Sequence, residues 1–154
     1  MHDSRKQFHY SLDSLLRKRN FDISVLTVEE QNAKQVFSEK TKELDALVSR
    51  MEELEDEIRR AQSGEALIIP ERMNGMRLFL VHHREIVKQK SAELQQAETV
   101  YRQIAEQLKK LRQSVKGLEK NKVSKKQQYN VMHERAGFIE MDNLWLARRH
   151  LSRT

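Results

Sequence analysis

Residues that could bind a metal ion or transfer protons are scattered along this sequence. The six histidines are His2, His9, His82, His83, His133 and His150. His82 and His83 are adjacent, and adjacent side chains on a helix point about 100° apart, so these two rings would face different directions. The chain has no Gly-rich phosphate loop, nucleophile elbow or HExxH motif. The sequence therefore predicts no enzyme active site, no metal site and no cofactor.

Acidic residues are the other candidates for proton chemistry. Five of them lie in the segment MEELEDEI, from Met51 to Ile58. A catalytic carboxyl group needs a pocket that shifts its pKa, and nothing around Glu52, Glu53 and Glu55 suggests one. We interpret this cluster as a solvated helix face.

Composition indicates what kind of scaffold carries these residues. Ala, Glu, Lys, Leu and Arg make up 72 of the 154 residues, with one Pro and four Gly. Such a mixture is typical of long helices or coiled coil. The net charge of +6 favours an anionic partner surface, and the absence of cysteine excludes disulfides and thiolate metal sites. There is no signal-peptide core and no apolar run of about 18 residues, so we expect a soluble cytoplasmic protein.

Apolar residues follow a strict alternation of three and four positions, which is the signature of a coiled-coil seam. The first stripe is interrupted only by Arg19, Glu30 and Lys40. It comprises Leu12, Leu16, Ile23, Leu26, Ala33, Phe37, Leu44, Leu47, Met51, Leu54, Ile58 and Ala61. The second stripe has the same spacing but is longer. It comprises Met76, Leu80, His83, Val87, Lys90, Leu94, Ala97, Tyr101, Ile104, Leu108, Leu111, Val115, Leu118, Lys122, Lys125, Tyr129, Met132, Ala136 and Ile139.

A single turn separates the stripes. The segment QSGEALIIPER combines Gly, Pro and a short apolar run. Ser63 and Gly64 suit the end of a helix, and Pro70 suits the first turn of the next one. We predict an all-α fold in which two long helices form one antiparallel coiled-coil hairpin. Helix one should span about residues 4–62, the loop about 63–72, and helix two about 73–150.

The length of the turn also predicts how the helices pair. If Ile58 faces Met76, the numbers of paired residues add to 134. The predicted layers then include Leu54 with Leu80, Leu47 with Val87, Phe37 with Ala97, Leu26 with Leu108, and Leu12 with Lys122. Met132 would face His2, so helix two should extend past its partner from about His133 onward.

The end of helix two is unusually apolar for a segment without a partner. Gly137 marks its start as a place to bend, because a helical glycine costs about 1 kcal/mol relative to Ala. Each large apolar side chain left in water forgoes roughly 1.5 to 3 kcal/mol. We predict that another protein covers this end, or that it folds back or self-associates as a dimer. The side chains concerned are Phe138, Ile139, Leu144, Trp145 and Leu146.

Positive charge concentrates beside the chain termini. Residues 109–126 carry eight basic residues and one acid, Glu119. In the predicted pairing they lie beside three basic residues of helix one. The predicted basic steering face comprises Arg17, Lys18, Arg19, Lys109, Lys110, Arg112, Lys116, Lys120, Lys122, Lys125 and Lys126. No aromatic residue between Tyr101 and Tyr129 is available to stack on a base, so no nucleic acid is expected.

Two segments resemble the FliJ and YscO (SctO) type stalk proteins of flagellar export and type III secretion. MRLFLVHHREIVKQKSAELQQAE is similar to that family's Phe-containing segment after the tip. The closing segment KGLEKNKVSKKQQYNVMHERAGFIEMDNLWLARR resembles its Leu-Glu-Lys segment followed by Tyr, Glu and Met-Asp. The matching residues are Leu118, Glu119, Lys120, Tyr129, Glu134, Met141 and Asp142, and Asn143 departs from the pattern.

The resemblance implies a non-enzymatic central stalk that is monomeric when free. Its termini would lie in the pore of a hexameric export ATPase, and its tip would face the inner-membrane export gate, at the cytoplasmic face of that membrane. Export chaperones are further partners that it implies. The gate contact would comprise Phe79, His83 and Ile86, although His83 and Lys90 depart from the expected residues. The ATPase-ring contact would comprise Phe138, Ile139, Asp142, Leu144, Trp145, Leu146, Arg148 and Arg149.

Two other interpretations remain open. The basic stripe favours a nucleic-acid-binding helical arm, whose affinity would fall steeply with salt. The apolar end favours a homodimeric coiled-coil tether. We also expect Phe79 to lie just off the seam, where hairpin packing does not need it, so that removing its ring would leave stability unchanged.

Overall fold

The structure is a computed structural model that describes the backbone of residues 7–151 and the side chains of residues 7–150. Helix α1 spans Asp13–Gln62 and helix α2 spans Pro70–Leu151. The two helices pack against each other, and the described residues include no strand. The predicted all-α helical hairpin is confirmed, including a second helix that is longer than the first.

The hairpin divides into two compact units. The loop unit is Val25–Leu108, which includes the connection between the helices. The terminal unit combines Met1–Ser24 with Lys109–Thr154. Each unit contains a segment of both helices, so each has its own stretch of helix pairing.

The predicted seam holds throughout the loop unit. Every seam position from Leu26 to Ala61 on α1, and from Met76 to Leu108 on α2, is buried or half-buried. Leu108 is the most enclosed, with 1% of its surface exposed. A spacing of three and four residues keeps one narrow stripe turned toward the partner helix, which is why these positions are covered all along the unit.

A cluster of buried side chains lies next to the connecting loop. Leu54, Met76 and Leu80 form a buried cluster, and the loop residue Ile68 packs against it. Three further half-buried side chains complete it, namely Met51, Ile58 and Phe79. Leu54 and Leu80 therefore share a layer, as the predicted pairing requires.

Charged residues at the seam form ion pairs with one another, most of them across the two helices. Lys40 Nζ lies 2.8 Å from Glu93 Oε2, while Lys90 Nζ lies 3.3 Å from Glu43 and 3.6 Å from Glu93. The hydrogen bond from Lys40, followed by the charges of Lys40 and Lys90, lowers the pKa of Glu93. The hydrogen bond to Glu43 raises the pKa of Lys90. Lys40 and Lys90, two of the lysines that interrupt the stripes, are thus held at the edge of the seam by carboxylates.

The connection is shorter than predicted, spanning residues 63–69 rather than 63–72. Gly64 has φ of 81°, and Glu65 N–H donates to the Arg60 carbonyl at 3.0 Å while Gly64 N–H donates to the Ala61 carbonyl at 3.4 Å. These two bonds are the Schellman arrangement that ends a helix at a left-handed glycine. Helix α2 begins at Pro70 itself because proline lacks an N–H and its fixed φ already suits the first helical position.

The predicted start of helix one at about residue 4 is wrong for the described residues. Residues 7–12 are not helical, and α1 begins at Asp13, whose N–H donates to the Tyr10 carbonyl at 3.1 Å. Tyr10 is buried, and its hydroxyl lies 3.2 Å from the Leu118 carbonyl and 2.9 Å from Asn121 Oδ1. This anchor ties the segment to α2 instead of letting it continue as helix. Residues 4–6 lie outside the described part of the chain.

The seam of the terminal unit starts at Leu16 rather than Leu12. Leu16 is buried with Leu111 and Val115 in its unit, whereas Leu12 precedes the helix and is 40% exposed. Lys122, the residue predicted to face Leu12, pairs with Asp13 instead. Asp13 Oδ1 lies 2.7 Å from Lys122 Nζ.

Pairs across the helices support the predicted pairing in both units. In the terminal unit the numbers of Asp13 and Lys122 add to 135. In the loop unit the numbers of Lys40 and Glu93 add to 133, and those of Arg84 and Glu55 add to 139. Long side chains can reach about one helical turn beyond their own layer, so sums a few residues away from 134 fit the same pairing. The pairing in which the numbers of facing residues add to 134 is therefore supported.

Replacing Tyr10 by Phe tests the terminal anchor. The change removes the hydroxyl that donates across the helices, and the free energy of unfolding should fall by about 1 kcal/mol. Urea unfolding followed by circular dichroism measures it. Tyr101→Phe is the matched control, because the Tyr101 ring stacks on Phe37 at 6.2 Å and its hydroxyl makes no hydrogen bond within the described residues. Equal losses from the two variants would contradict the anchor.

Replacing Glu93 by Gln tests the ion pairs of the seam. A carboxyl group whose pKa is lowered by folding stabilises the protein above its unfolded pKa, and this contribution disappears as the pH falls through the folded pKa. The variant should therefore melt lower than the unchanged chain at about pH 7, by less than about 3 °C, and at the same temperature at about pH 2. Exposed Glu85, replaced by Gln, is the control. A melting difference that persists undiminished in acid would show that the ion pairs do not cause it.

Candidate docking surface

The end of α2 is helical and its side chains are exposed. The large apolar side chains from Phe138 to Leu146 are between 49% and 71% exposed. We call them the tail surface, which comprises Phe138, Ile139, Met141, Leu144, Trp145 and Leu146. Among the described residues the last seam contact is that of Tyr129, whose ring centroid lies 5.6 Å from that of Phe8. The predicted extension of helix two past its partner is confirmed, while the predicted facing residue of Met132, His2, lies outside the described part.

Local interactions favour helix in this segment. The Arg149 guanidinium lies over the Trp145 ring at 5.1 Å, one turn away. Arg148, Arg149 and His150 occupy the last turn, where positive charge complements the helix dipole. Helix α2 runs through Gly137 without interruption, so the predicted bend there does not break the helix. The polar members of the predicted ring contact, Asp142, Arg148 and Arg149, are exposed beside the tail surface.

The predicted basic steering face lies in the terminal unit. Arg17, Lys18 and Arg19 are exposed on α1. Seven of the eight basic residues in 109–126 are also exposed. They are Lys109, Lys110, Arg112, Lys116, Lys120, Lys125 and Lys126. An acidic partner approaching this unit would meet a cationic surface in the turns that lead to the tail surface.

Lys122 and Arg17 differ from the other members of this face. Lys122 is half-buried, with Nζ 2.7 Å from Asp13 and 5.9 Å from the centroid of the Tyr10 ring. Asp13 also lies 2.7 Å from Arg17. Hydrogen bonds from Lys122 first, and then from Arg17, lower the pKa of Asp13. Lys122 is therefore a packing residue, and Asp13 offsets part of the charge of both cations.

The predicted gate residues lie in the loop unit. Phe79 is half-buried and packs against the cluster of Leu54, Met76 and Leu80, so the expectation that hairpin packing does not need it is wrong. Its ring stacks on His83 with centroids 3.5 Å apart, and His83 Nδ1–H donates to the Phe79 carbonyl at 2.9 Å. Phe79 lies one place before the seam residue Leu80 and packs against the same cluster as the loop residue Ile68. Ile86 is half-buried further along α2.

Sequence reasoning missed a second exposed apolar surface near the loop. Leu67 is fully exposed, and Ile69, Leu78 and Val81 are each more than 60% exposed. The apolar run before Pro70 was the available signal. Ile68 packs into the core cluster, while its neighbours Leu67 and Ile69 are exposed. The prediction of a turn does not describe this alternation.

No group of three or more His, Asp or Glu side chains in the described part could hold a metal ion. Within residues 7–151, neither helix has a stretch long and apolar enough to cross a bilayer. Comparison of the chain with protein-family models, curated proteins and solved structures found no match.

Replacing Phe79 by Ala should now lower the free energy of unfolding, by about 1 to 3 kcal/mol, because the ring covers the core cluster. Its neighbour Leu78 is 71% exposed, and Leu78→Ala should change that free energy by less than about 0.5 kcal/mol. Thermal and urea unfolding of both variants give the comparison. If Phe79→Ala is as stable as Leu78→Ala, the packing role of Phe79 is refuted.

Proposed function

We propose that the protein is a non-enzymatic stalk of a type III secretion or flagellar export apparatus. In this proposal its terminal unit enters the hexameric export ATPase, and its loop end faces the inner-membrane export gate. The observation that carries the proposal is the tail surface, an exposed apolar helix end that follows the basic residues 109–126 along α2. The export ATPase and the export gate are proposed as partners because two segments of the chain resemble FliJ and YscO type proteins.

A ring of helical subunits suits this tail for a physical reason. The apolar side chains lie on several sides of α2, since Phe138, Ile139 and Leu144 project in three directions at 100° per residue. A flat partner surface would cover only one side. A pore encloses a helix end on all sides and would remove the whole tail surface from water.

The free energy of covering the tail surface is too small for tight binding by the tail surface alone. Six side chains that are half to three-quarters exposed would contribute roughly 5 to 10 kcal/mol when covered. Association costs roughly 4 to 15 kcal/mol in lost freedom, so the tail alone would bind weakly. The basic face would raise the association rate, and a second contact at the loop end would strengthen binding through effective concentration.

At the loop end, the gate contact is proposed for the exposed side of the loop unit. Leu67, Ile69, Leu78 and Val81 offer apolar surface there. His83 and Ile86 of the predicted gate residues are half-buried in the same unit. Phe79 would act mainly by holding this surface in place, because it packs inward. This arrangement would set the protein at the cytoplasmic face of the inner membrane, and chaperone binding would use the same exposed surfaces.

The ATPase contact is tested by combining Leu144→Ala, Trp145→Ala and Leu146→Ala in one variant. The hairpin should melt unchanged, because these side chains have no partner across the helices, but stimulation of purified export ATPase should fall at least about tenfold. The matched control combines Leu78→Ala with Val81→Ala, which removes equally exposed apolar groups from the loop unit. ATPase stimulation that survives the tail variant, or is lost equally in the control, would contradict the proposal. Binding to single-stranded DNA that weakens steeply with salt would favour a nucleic-acid arm instead.

A further inference from the structure

The end of α2 carries a row of apolar side chains on the side that faces away from α1. Val131 follows the seam residue Tyr129 by two positions, which places it about 200° around the helix. Phe138 and Trp145 follow Val131 at intervals of seven, so they continue the same row, and Met141 lies beside it. These four side chains are 47%, 71%, 59% and 70% exposed. The seam with α1 therefore does not account for them.

We infer that this outer row is a self-association surface, on which two copies of the chain pair their α2 ends side by side in opposite directions. Phe138 of each copy packs against Met141 of the other. One turn away in either direction, the Trp145 ring packs on the aliphatic part of Glu134, and Val131 packs on the stem of Arg148. The contact follows from heptad spacing and is independent of the proposed ATPase partner.

Charge complementarity supports the opposite orientation. Arg135 and Asp142 flank the row on one side, seven residues apart. In the antiparallel pairing Arg135 of each copy faces Asp142 of the other, which gives two attractive contacts. Neither residue belongs to an ion pair among residues 7–150. A parallel pairing would instead bring Glu134 against Glu134 and Arg148 against Arg148, which is repulsive.

Shape supports the same pairing on the other side of the row. Gly137 and Leu144 flank it there, and the antiparallel pairing places Leu144 of one copy beside Gly137 of the other. Apart from its two chain neighbours and the backbone of its own helix, nothing in the described part of the chain lies within 4 Å of where a Gly137 Cβ would stand. A shallow open groove surrounds this glycine, lined by Glu134, Gly137, Phe138, Glu140, Met141 and Leu144. The leucine of one copy fills the space that the glycine of the other leaves.

The proposed dimer interface is only three heptads long, so it should be weak. Three heptads of two helices bury less than about 1,200 Å², the range of weak and transient interfaces. We expect a dissociation constant on the order of 10 to 100 μM. Because Phe138, Met141, Leu144 and Trp145 belong to the tail surface, the dimer covers these side chains and excludes any other partner from them.

Charge reversal tests the pairing on the full-length chain by sedimentation equilibrium. Arg135→Glu places two acids together at both symmetric sites, and Asp142→Arg places two cations together, so each variant alone should associate about tenfold more weakly than the unchanged chain. An equimolar mixture of the two variants should recover the original affinity, because both sites become attractive in the mixed dimer. A parallel pairing gives no such recovery, since these residues do not face each other in it.

An apolar control completes the test. Phe138→Glu should weaken association at least about 30-fold, whereas Phe21→Glu should leave it unchanged, since Phe21 is 68% exposed on α1 away from the row. Circular dichroism checks that all variants stay helical. A chain that remains monomeric at about 0.5 mM overturns the inference. Failure of the mixture to recover affinity, or equal effects of the two Phe substitutions, also overturns it. All of these results measure association of the chain with itself in the absence of ATPase, so they can fail or succeed whatever the separate measurement of ATPase stimulation gives.

Discussion

The structure depends on the mutual burial of two narrow apolar stripes. A hairpin of two helices has one seam and no third layer, so each stripe is covered only where the other helix runs beside it. The buried side chains in the described part are few, and most seam positions stay half-buried. Stability therefore comes from many partial contacts in one pairing, and a shift of the pairing would lose most of them at once.

Polar groups adjust the seam without breaking it. Lys40 and Lys90 interrupt the apolar stripes, and the carboxylates of Glu43 and Glu93 compensate for them at the edge of the helix pair. In the terminal unit Asp13 has the same role for Lys122. Such contacts contribute little stability each, but they favour one pairing over its neighbours, because a shift by one heptad would separate the charges.

The seam, the loop and the overhang of α2 could be predicted because each depends on the spacing and type of nearby residues. Gly64 and Pro70 have few alternative uses in a helical chain, and an apolar residue every third or fourth position restricts which face is buried. The anchor of Tyr10 could not be predicted in this way, since it joins residues more than 100 positions apart. Phe79 packs against the core cluster from one position off the seam, which heptad spacing does not describe. The exposure of Leu67 depends on the path of the loop, which heptad spacing does not describe either.

The exposed end of α2 follows directly from the constraint of a single seam. Residues beyond Tyr129 keep their helical hydrogen bonds but gain no support from α1, and the apolar groups there remain available to a partner. Both proposed uses of this end, entry into an ATPase ring and weak self-association, draw on the same unsupported helix. The account thus predicts a boundary in stability along a helix that has no boundary in secondary structure.

Hydrogen exchange of the dilute chain, well below the concentration for self-association, tests this most directly. Amide protons of α2 between Met76 and Tyr129 should exchange slowly, because their opening requires separation of the helices. Those from His133 to His150 should exchange fast, with a sharp change near residue 130, because only local helix formation protects them. Equal slow exchange from Met76 through His150 in the dilute monomer would contradict the account, because it would mean that another part of the same chain supports the end of α2.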